Sequence, residues 1–174
     1  MKKYLNILVF LIVSLFFVSC ATKEPTDLKT VQKVDLKKYL GDWYEIARYE
    51  HSFQKDCKNV KANYSLRDDN KIQVVNNCTK ITTNEFKEAK AVAYNIDETN
   101  SKLKVSFFRP FYGDYWILDL DENYKYAIVG TPSKEYLWIL SREKSMDKKT
   151  LNILLEKITN MGFDKTKLIY TIQE

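Results

Sequence analysis

The side chains able to do chemistry in this 174-residue chain are few: three cysteines, one histidine, and some charged residues next to apolar runs. His51 is the sole histidine, so a multi-histidine metal site cannot be built. It could still ligate a haem iron. There is no Gly-x-Ser-x-Gly nucleophile elbow and no glycine-rich phosphate loop. Cys57 and Cys78, if joined, offer no thiolate. The residues therefore point away from an enzyme and imply neither a metal nor a cofactor. Arg109 has a forked donor set that suits a carboxylate or phosphate, though a solvated loop arginine is the plainer reading. Glu45 lies within an apolar run and needs a partner if it is buried.

The fate of the cysteines depends on where the chain goes. Lys2 and Lys3 precede a nearly unbroken apolar run, Leu5 to Val18, followed by Ser19-Cys20. This is the pattern of a secretory signal, residues 1–19. The ending Phe17-Val18-Ser19-Cys20 resembles a bacterial lipobox, which implies that Cys20 carries diacylglycerol and palmitate-like chains. Phe17 stands where such motifs usually have Leu, so simple secretion or an uncleaved anchor stays open. Two or more acyl chains anchor stably, whereas one is marginal. Residues 20–34 read as the acylated cysteine and a flexible tether, and 35–174 as one domain. Ala21, rather than Asp, after the cysteine implies the outer membrane, with the domain facing the periplasm. In that oxidising space Cys57 and Cys78 are expected to form a disulfide, with two unpaired thiols as the alternative. A bond needs their Cα atoms within about 7 Å. The turn at 67–70 leaves them a few residues out of register, so the chain before position 58 must fold back.

The formal net charge of +5 falls to +3 when Lys2 and Lys3 leave. That is too mild, and the basic residues too scattered, for a nucleic-acid partner.

The elements that must position these residues are mostly short strands with turn chemistry between them. Segments near 42–50, 58–66, 72–78, 86–95, 102–108, 115–121, 124–131 and 136–142 make eight. In 58–66 Val60, Ala62, Tyr64 and Leu66 share one face; in 102–108 Leu103, Val105 and Phe107 do. The spacing fits an up-and-down barrel or a sandwich equally well. One helix follows, capped by Ser145 or Asp147. It presents Leu151, Leu154, Leu155, Ile158 and Met161 on one stripe and ends at Gly162. Residues 167–172 add a short last strand.

Two pieces choose between the folds. Tyr39-Leu-Gly-Asp-Trp-Tyr-Glu-Ile-Ala-Arg48 and Tyr136-Leu-Trp-Ile-Leu-Ser-Arg142 resemble the signature of the lipocalins, and most nearly the bacterial outer-membrane lipoproteins of the Blc type. The resemblance runs from about Val34 to the C-terminus. It implies an all-β, eight-stranded antiparallel up-and-down barrel with the helix packed on its wall. It makes Gly41, Trp43 and Arg142 a structural signature, with a guanidinium over an indole at the closed end.

An eight-stranded barrel has room for one small ligand. With Trp43 inward, strict alternation places Ala47 and Tyr49 inside, together with Val60, Ala62, Tyr64, Val74, Phe107, Trp116 and Leu118. Arg109 and Tyr112 fall at the open mouth, near His51. The expectation is a membrane-anchored carrier of a fatty acid or lysophospholipid, serving storage, transport or repair of envelope lipids. A binder of haem, pigment or another ring ligand is one alternative. A barrel filled by its own side chains, acting as an interaction module, is the other.

Overall fold

A computed structural model describes residues 27–174. The expected signal peptide and the acylation of Cys20 lie outside the described residues. Eight strands run up and down: β1 Gly41–Tyr49, β2 Cys57–Leu66, β3 Ile72–Lys80, β4 Phe86–Asn95, β5 Lys102–Phe108, β6 Phe111–Leu120, β7 Tyr126–Gly130 and β8 Leu137–Ser141. Each pairs antiparallel with the next, and β1 pairs with both β8 and β2, which closes the barrel.

Closure is only partial along β1. Its first residues, Gly41 to Tyr44, pair with β2, after which β2 diverges. The gap is filled by β9, Leu168–Tyr170, which pairs with Ala47–Tyr49. Beyond it, Thr171 N–H donates to the Ile46 carbonyl and Asn59 N–H to that of Ile172. The Gln173 side-chain amide bridges the carbonyls of Glu45 and Val60, at 2.9 and 2.8 Å. The last residues are thus a patch sewn into the wall.

Two apolar cores result. The inner one joins Trp43, Tyr64, Ile72, Val74, Ala91, Ala93, Leu103, Ile117, Ala127, Val129 and Leu140 inside the barrel. The outer one packs helix α2, Lys148–Asn160, on the wall through Leu154 and Ile158 against Ile46, Leu118, Ile128, Leu137 and Ile139. Asp147 is the N-cap, accepting from Thr150 N–H, which relieves a first-turn donor. Gly162, at φ +81°, supplies the left-handed C-terminal residue. Phe163 N–H then reaches the Ile158 carbonyl and Gly162 N–H that of Thr159, a Schellman closure. Lys157 pairs with Asp119 at 2.7 Å across the helix–wall contact.

Of the expected tether, 20–34, residues 27–34 are described, and they are packed rather than free. Residues 27–34 lie along the wall, with Leu28 and Val34 buried. Val31 N–H donates to the Ile117 carbonyl and Val34 N–H to that of Thr99. The polar composition around them concealed three apolar residues spaced three apart. Helix α1, Leu36–Tyr39, follows under an Asp35 cap and plugs the floor with Tyr39. Sequence patterning did not anticipate it, because four residues carry too little periodicity.

Candidate ligand cavity and its mouth

The floor is set by Trp43. The Arg142 guanidinium sits 3.9 Å from the indole centroid. Its Nη atoms donate to the carbonyls of Asp42 (2.7 Å), Lys38 (2.7 Å) and Tyr39. Trp43 Nε1 donates to the Tyr39 carbonyl at 2.8 Å. Gly41 has φ +94°, and a Cβ there would stand 3.5 Å from Arg142 Nη1. The left-handed turn into β1 is what calls for glycine. Partial burial lowers the arginine's pKa, yet its donors are spent on carbonyls that would otherwise face a dead end.

Just above the floor three phenols meet. Tyr115 Oη lies 2.8 Å from Tyr39 Oη and 2.8 Å from Tyr64 Oη. Three hydroxyl protons serve two bonds, so one donor is left over inside the barrel. Burial raises all three pKa values, that of Tyr64 to about 12, so the cluster is neutral. Tyr115 is desolvated enough for that shift and yet keeps some accessible surface.

The inward face of β2 to β4 is rich in small residues. Ala62, Asn76 and Ala89 form one cross-strand row, and Ala91 and Ala93 continue it down β4. Cross-strand partners share a face. The lower inward residues Trp43, Ala93, Leu103, Ile117, Ala127 and Val129 are fully buried. Ala62, Asn76, Val105 and Trp138, on the same face, keep accessible surface. Accessibility therefore increases inside the barrel toward its mouth. Of the expected lining residues, Val60, Ala62, Tyr64 and Val74 are brought together on this side; Val60 packs with the cysteines near the mouth.

Four expected lining residues do not face inward. Ala47, Tyr49, Trp116 and Leu118 belong to the outer core, under or beside α2. In β1 the cause is a bulge: register shifts between Glu45 and Ala47, and an extra residue flips everything beyond it to the other face. In β6 Tyr115 and Ile117 face inward, so regular alternation already puts Trp116 and Leu118 outside. Trp116 lies under the Lys102 ammonium, 4.7 Å from its centroid. Tyr112 rests edge-on against Tyr94 at 5.4 Å, on the outer face. A further shift between Val105 and Phe108 breaks the alternation that would carry Phe107 inward, and Phe107 stands half-exposed at the rim.

The β1 bulge also settles Glu45. It places Arg48 on the inward face beside it, and their side chains meet at 2.9 Å, both nearly fully buried. Thr171 and Gln54 donate to the Glu45 carboxylate, while Arg48 Nη2 donates to the Gln54 carbonyl at 3.0 Å. Arg48 Nε has no protein partner among the described residues. Strict alternation would have separated the two residues, so sequence reasoning did not pair them.

The loop after β1 folds over the mouth. His51 is buried, stacked on Phe53 at 3.8 Å and near Tyr136 and Trp138. Desolvation, reinforced by the Arg48 charge, lowers its pKa to about 4, so the imidazole is neutral near pH 7. Neither ring nitrogen has a protein partner among the described residues, nor does Asn76 Oδ1. Arg109 stands exposed on the β5–β6 tip, before the cis Pro110.

Cys57 and Cys78 form a disulfide, Cα to Cα 5.6 Å. The fold-back it requires comes from a bulge in β2 between Lys58 and Lys61, where Asn59 takes φ +53°. Asparagine tolerates that left-handed region better than most residues.

Comparison with known proteins places this geometry in a wider set. Residues 34–173 match the family model described as a lipocalin-like domain. The chain is 41% identical over 168 residues to the outer membrane lipoprotein Blc of Vibrio cholerae, covering 95% of this chain and 98% of that protein. It is 39% identical to the outer membrane lipoprotein Blc of Escherichia coli K12, covering 90% and 89%. Among solved structures, insecticyanin from the tobacco hornworm Manduca sexta superposes with a TM-score of 0.69 at 22% identity, covering 85% of each chain.

Proposed function

The chain belongs to the lipocalin family, and from that premise we propose that it is a membrane-anchored carrier of a fatty acid or lysophospholipid. The outer-membrane lipoproteins among its relatives support an outer-membrane address, with Cys20 as the acylated residue and the domain in the periplasm. The observation that carries the reading is the inward face of β2 to β4. Ala62, Ala89, Ala91 and Ala93 supply width there, and accessibility rises toward the mouth. A bound acyl chain would run along that face past Val74 and Val105. A chain of about 16 carbons carries on the order of 12 kcal/mol of gross burial free energy, before the costs of ordering it. The head group would lie near His51 and Asn76, whose polar atoms lack protein partners, with Arg109 on the rim. Release at a membrane then needs no covalent step.

Native mass spectrometry of the protein purified without detergent, followed by lipid extraction, tests the reading. Near one fatty acid or lysophospholipid per chain is expected. An empty protein that also refuses added lysophospholipid, with unchanged tryptophan fluorescence, would overturn it.

A further inference from the structure

Six phenylalanines lie within the described residues, and five are exposed: Phe53, Phe86, Phe107, Phe108 and Phe111. All five stand at the open end: Phe53 on the β1–β2 loop, the others at the ends of β4, β5 and β6. Phe108 and Phe111 are 75% and 71% exposed, with their rings stacked at 6.4 Å on the β5–β6 tip. Phe53 and Phe86, 66% and 62% exposed, stand on the loop before β2 and at the start of β4. Only Phe163, packed beneath α2, is buried. Exposed aromatic rings gathered at one end of a molecule mark a surface with a partner.

The path of the N-terminal segment says what that partner is. Asp27 lies by Lys134, on the loop between β7 and β8, which is an open-end loop. From there the chain descends the outer wall past Ile117 to Thr99, at a closed-end turn. Asp27, the first described residue, therefore lies at the open end. Seven residue steps separate Cys20 from Asp27, a reach of at most about 25 Å. Running back to the closed end would use up that whole length, since a nine-residue strand spans about 30 Å before tilt.

We propose that the open end docks on a lipid bilayer, with the aromatic rim seated among the head groups and the mouth facing the membrane that holds the anchor. This rests on the acylation of Cys20 in the reading above. The acids Glu50, Glu85 and Glu135 stand among the basic Lys55, Lys87 and Arg109, and Lys87 is paired with Glu85. Docking is therefore driven by apolar insertion rather than by charge, and lipid passes between bilayer and cavity without crossing water.

The test uses the full chain, acylated in its host and reconstituted into vesicles of phosphatidylethanolamine and phosphatidylglycerol with brominated acyl chains. Tryptophan is introduced as Phe108→Trp or Phe111→Trp on the rim, and as Ile153→Trp on the exposed face of α2. The rim variants are expected to lose more than half of their added emission to bromine quenching, at low and high salt alike. Ile153→Trp is expected to lose none. Unquenched rim variants, or equal quenching at all three sites, would overturn the proposal. So would a Phe108→Trp blue shift without vesicles that tracks dimer mass, which would give the rim to a second copy. Lysophospholipid uptake is measured on the same preparations. Uptake without rim quenching would sink the docking alone, whereas quenching without uptake would sink the carrier reading and leave docking standing.

Discussion

Glu45 and Arg48 face the same way, three residues apart in a strand, because a bulge lies between them. Their pairing fixes the wall, the mouth loop and the C-terminal patch at one point, through Gln54 and Thr171. Removing one charge strands the other in a buried site. Glu45→Gln or Arg48→Met is expected to cost about 3–5 kcal/mol, read as a lower urea midpoint. The double change Glu45→Leu with Arg48→Met is expected to cost clearly less than the two singles combined. An additive double mutant would show that the two side chains act independently.

His51 makes stability pH-dependent. Its pKa is about 4 in the folded state, against an ordinary histidine value of 6.5 that the unfolded chain retains. The unfolded chain therefore binds the proton first as pH falls. Stability is complete above about pH 6.5 and declines toward pH 4, by up to about 3 kcal/mol. Urea midpoints measured across that window should slope downward with acid. His51→Gln should flatten the slope there, while carboxylates continue to act at lower pH.

Gly130 has no room for a side chain. A Cβ there would stand 2.9 Å from Leu118 Cδ1, 3.1 Å from the Phe163 ring and 3.2 Å from the Tyr136 carbonyl. Gly130→Ala is expected to destabilise by about 1–3 kcal/mol, since this outer core is already filled. Gly113→Ala, with nothing within 4 Å, is expected to be close to neutral. Thermal unfolding of the pair separates the two outcomes.

Reducing the Cys57–Cys78 bond releases a loop spanning 21 residues of sequence separation. The expected loss is on the order of 3 kcal/mol. Unfolding with and without reductant measures it, and Cys57→Ser with Cys78→Ser should reproduce the reduced value.

Ala62→Leu projects bulk into the reachable part of the barrel. It is expected to leave the unfolding midpoint within about 1.5 kcal/mol of the parent while reducing lysophospholipid uptake severalfold. Trp116→Ala, on the outer wall, should leave uptake unchanged. The opposite result would move the binding site outside the barrel.

The strands and the helix with its caps were legible, because period-two and period-3.6 patterns and turn residues are local signals; the Trp43–Arg142 floor was legible only through the resemblance to the lipocalins. Facing was legible only as far as each strand stayed regular and its phase was known. Ala62, Tyr64 and Val74 follow regular alternation, whereas Ala47 and Tyr49 lie beyond a bulge that leaves no local mark, and Trp116 and Leu118 take the outer phase because Tyr115 and Ile117 take the inner one. The alternating alanines Ala89, Ala91 and Ala93 were readable as a narrow-residue face and were passed over. Arg48 as partner of Glu45 was out of reach for the same reason as Ala47. Leu28 and Val34 were hidden because their contacts lie far away along the chain.

The patch formed by Leu168 to Gln173 has a consequence for the order of events as the chain is made. β1 is the first strand to emerge, yet half of one edge has no neighbour until residues 168–173 arrive, after every other strand. Until then its Ile46 and Glu45 carbonyls face open water, and the Glu45–Arg48 pair lacks the Thr171 hydroxyl. The barrel cannot seal progressively from its N-terminus; it is a ring whose keystone is set last.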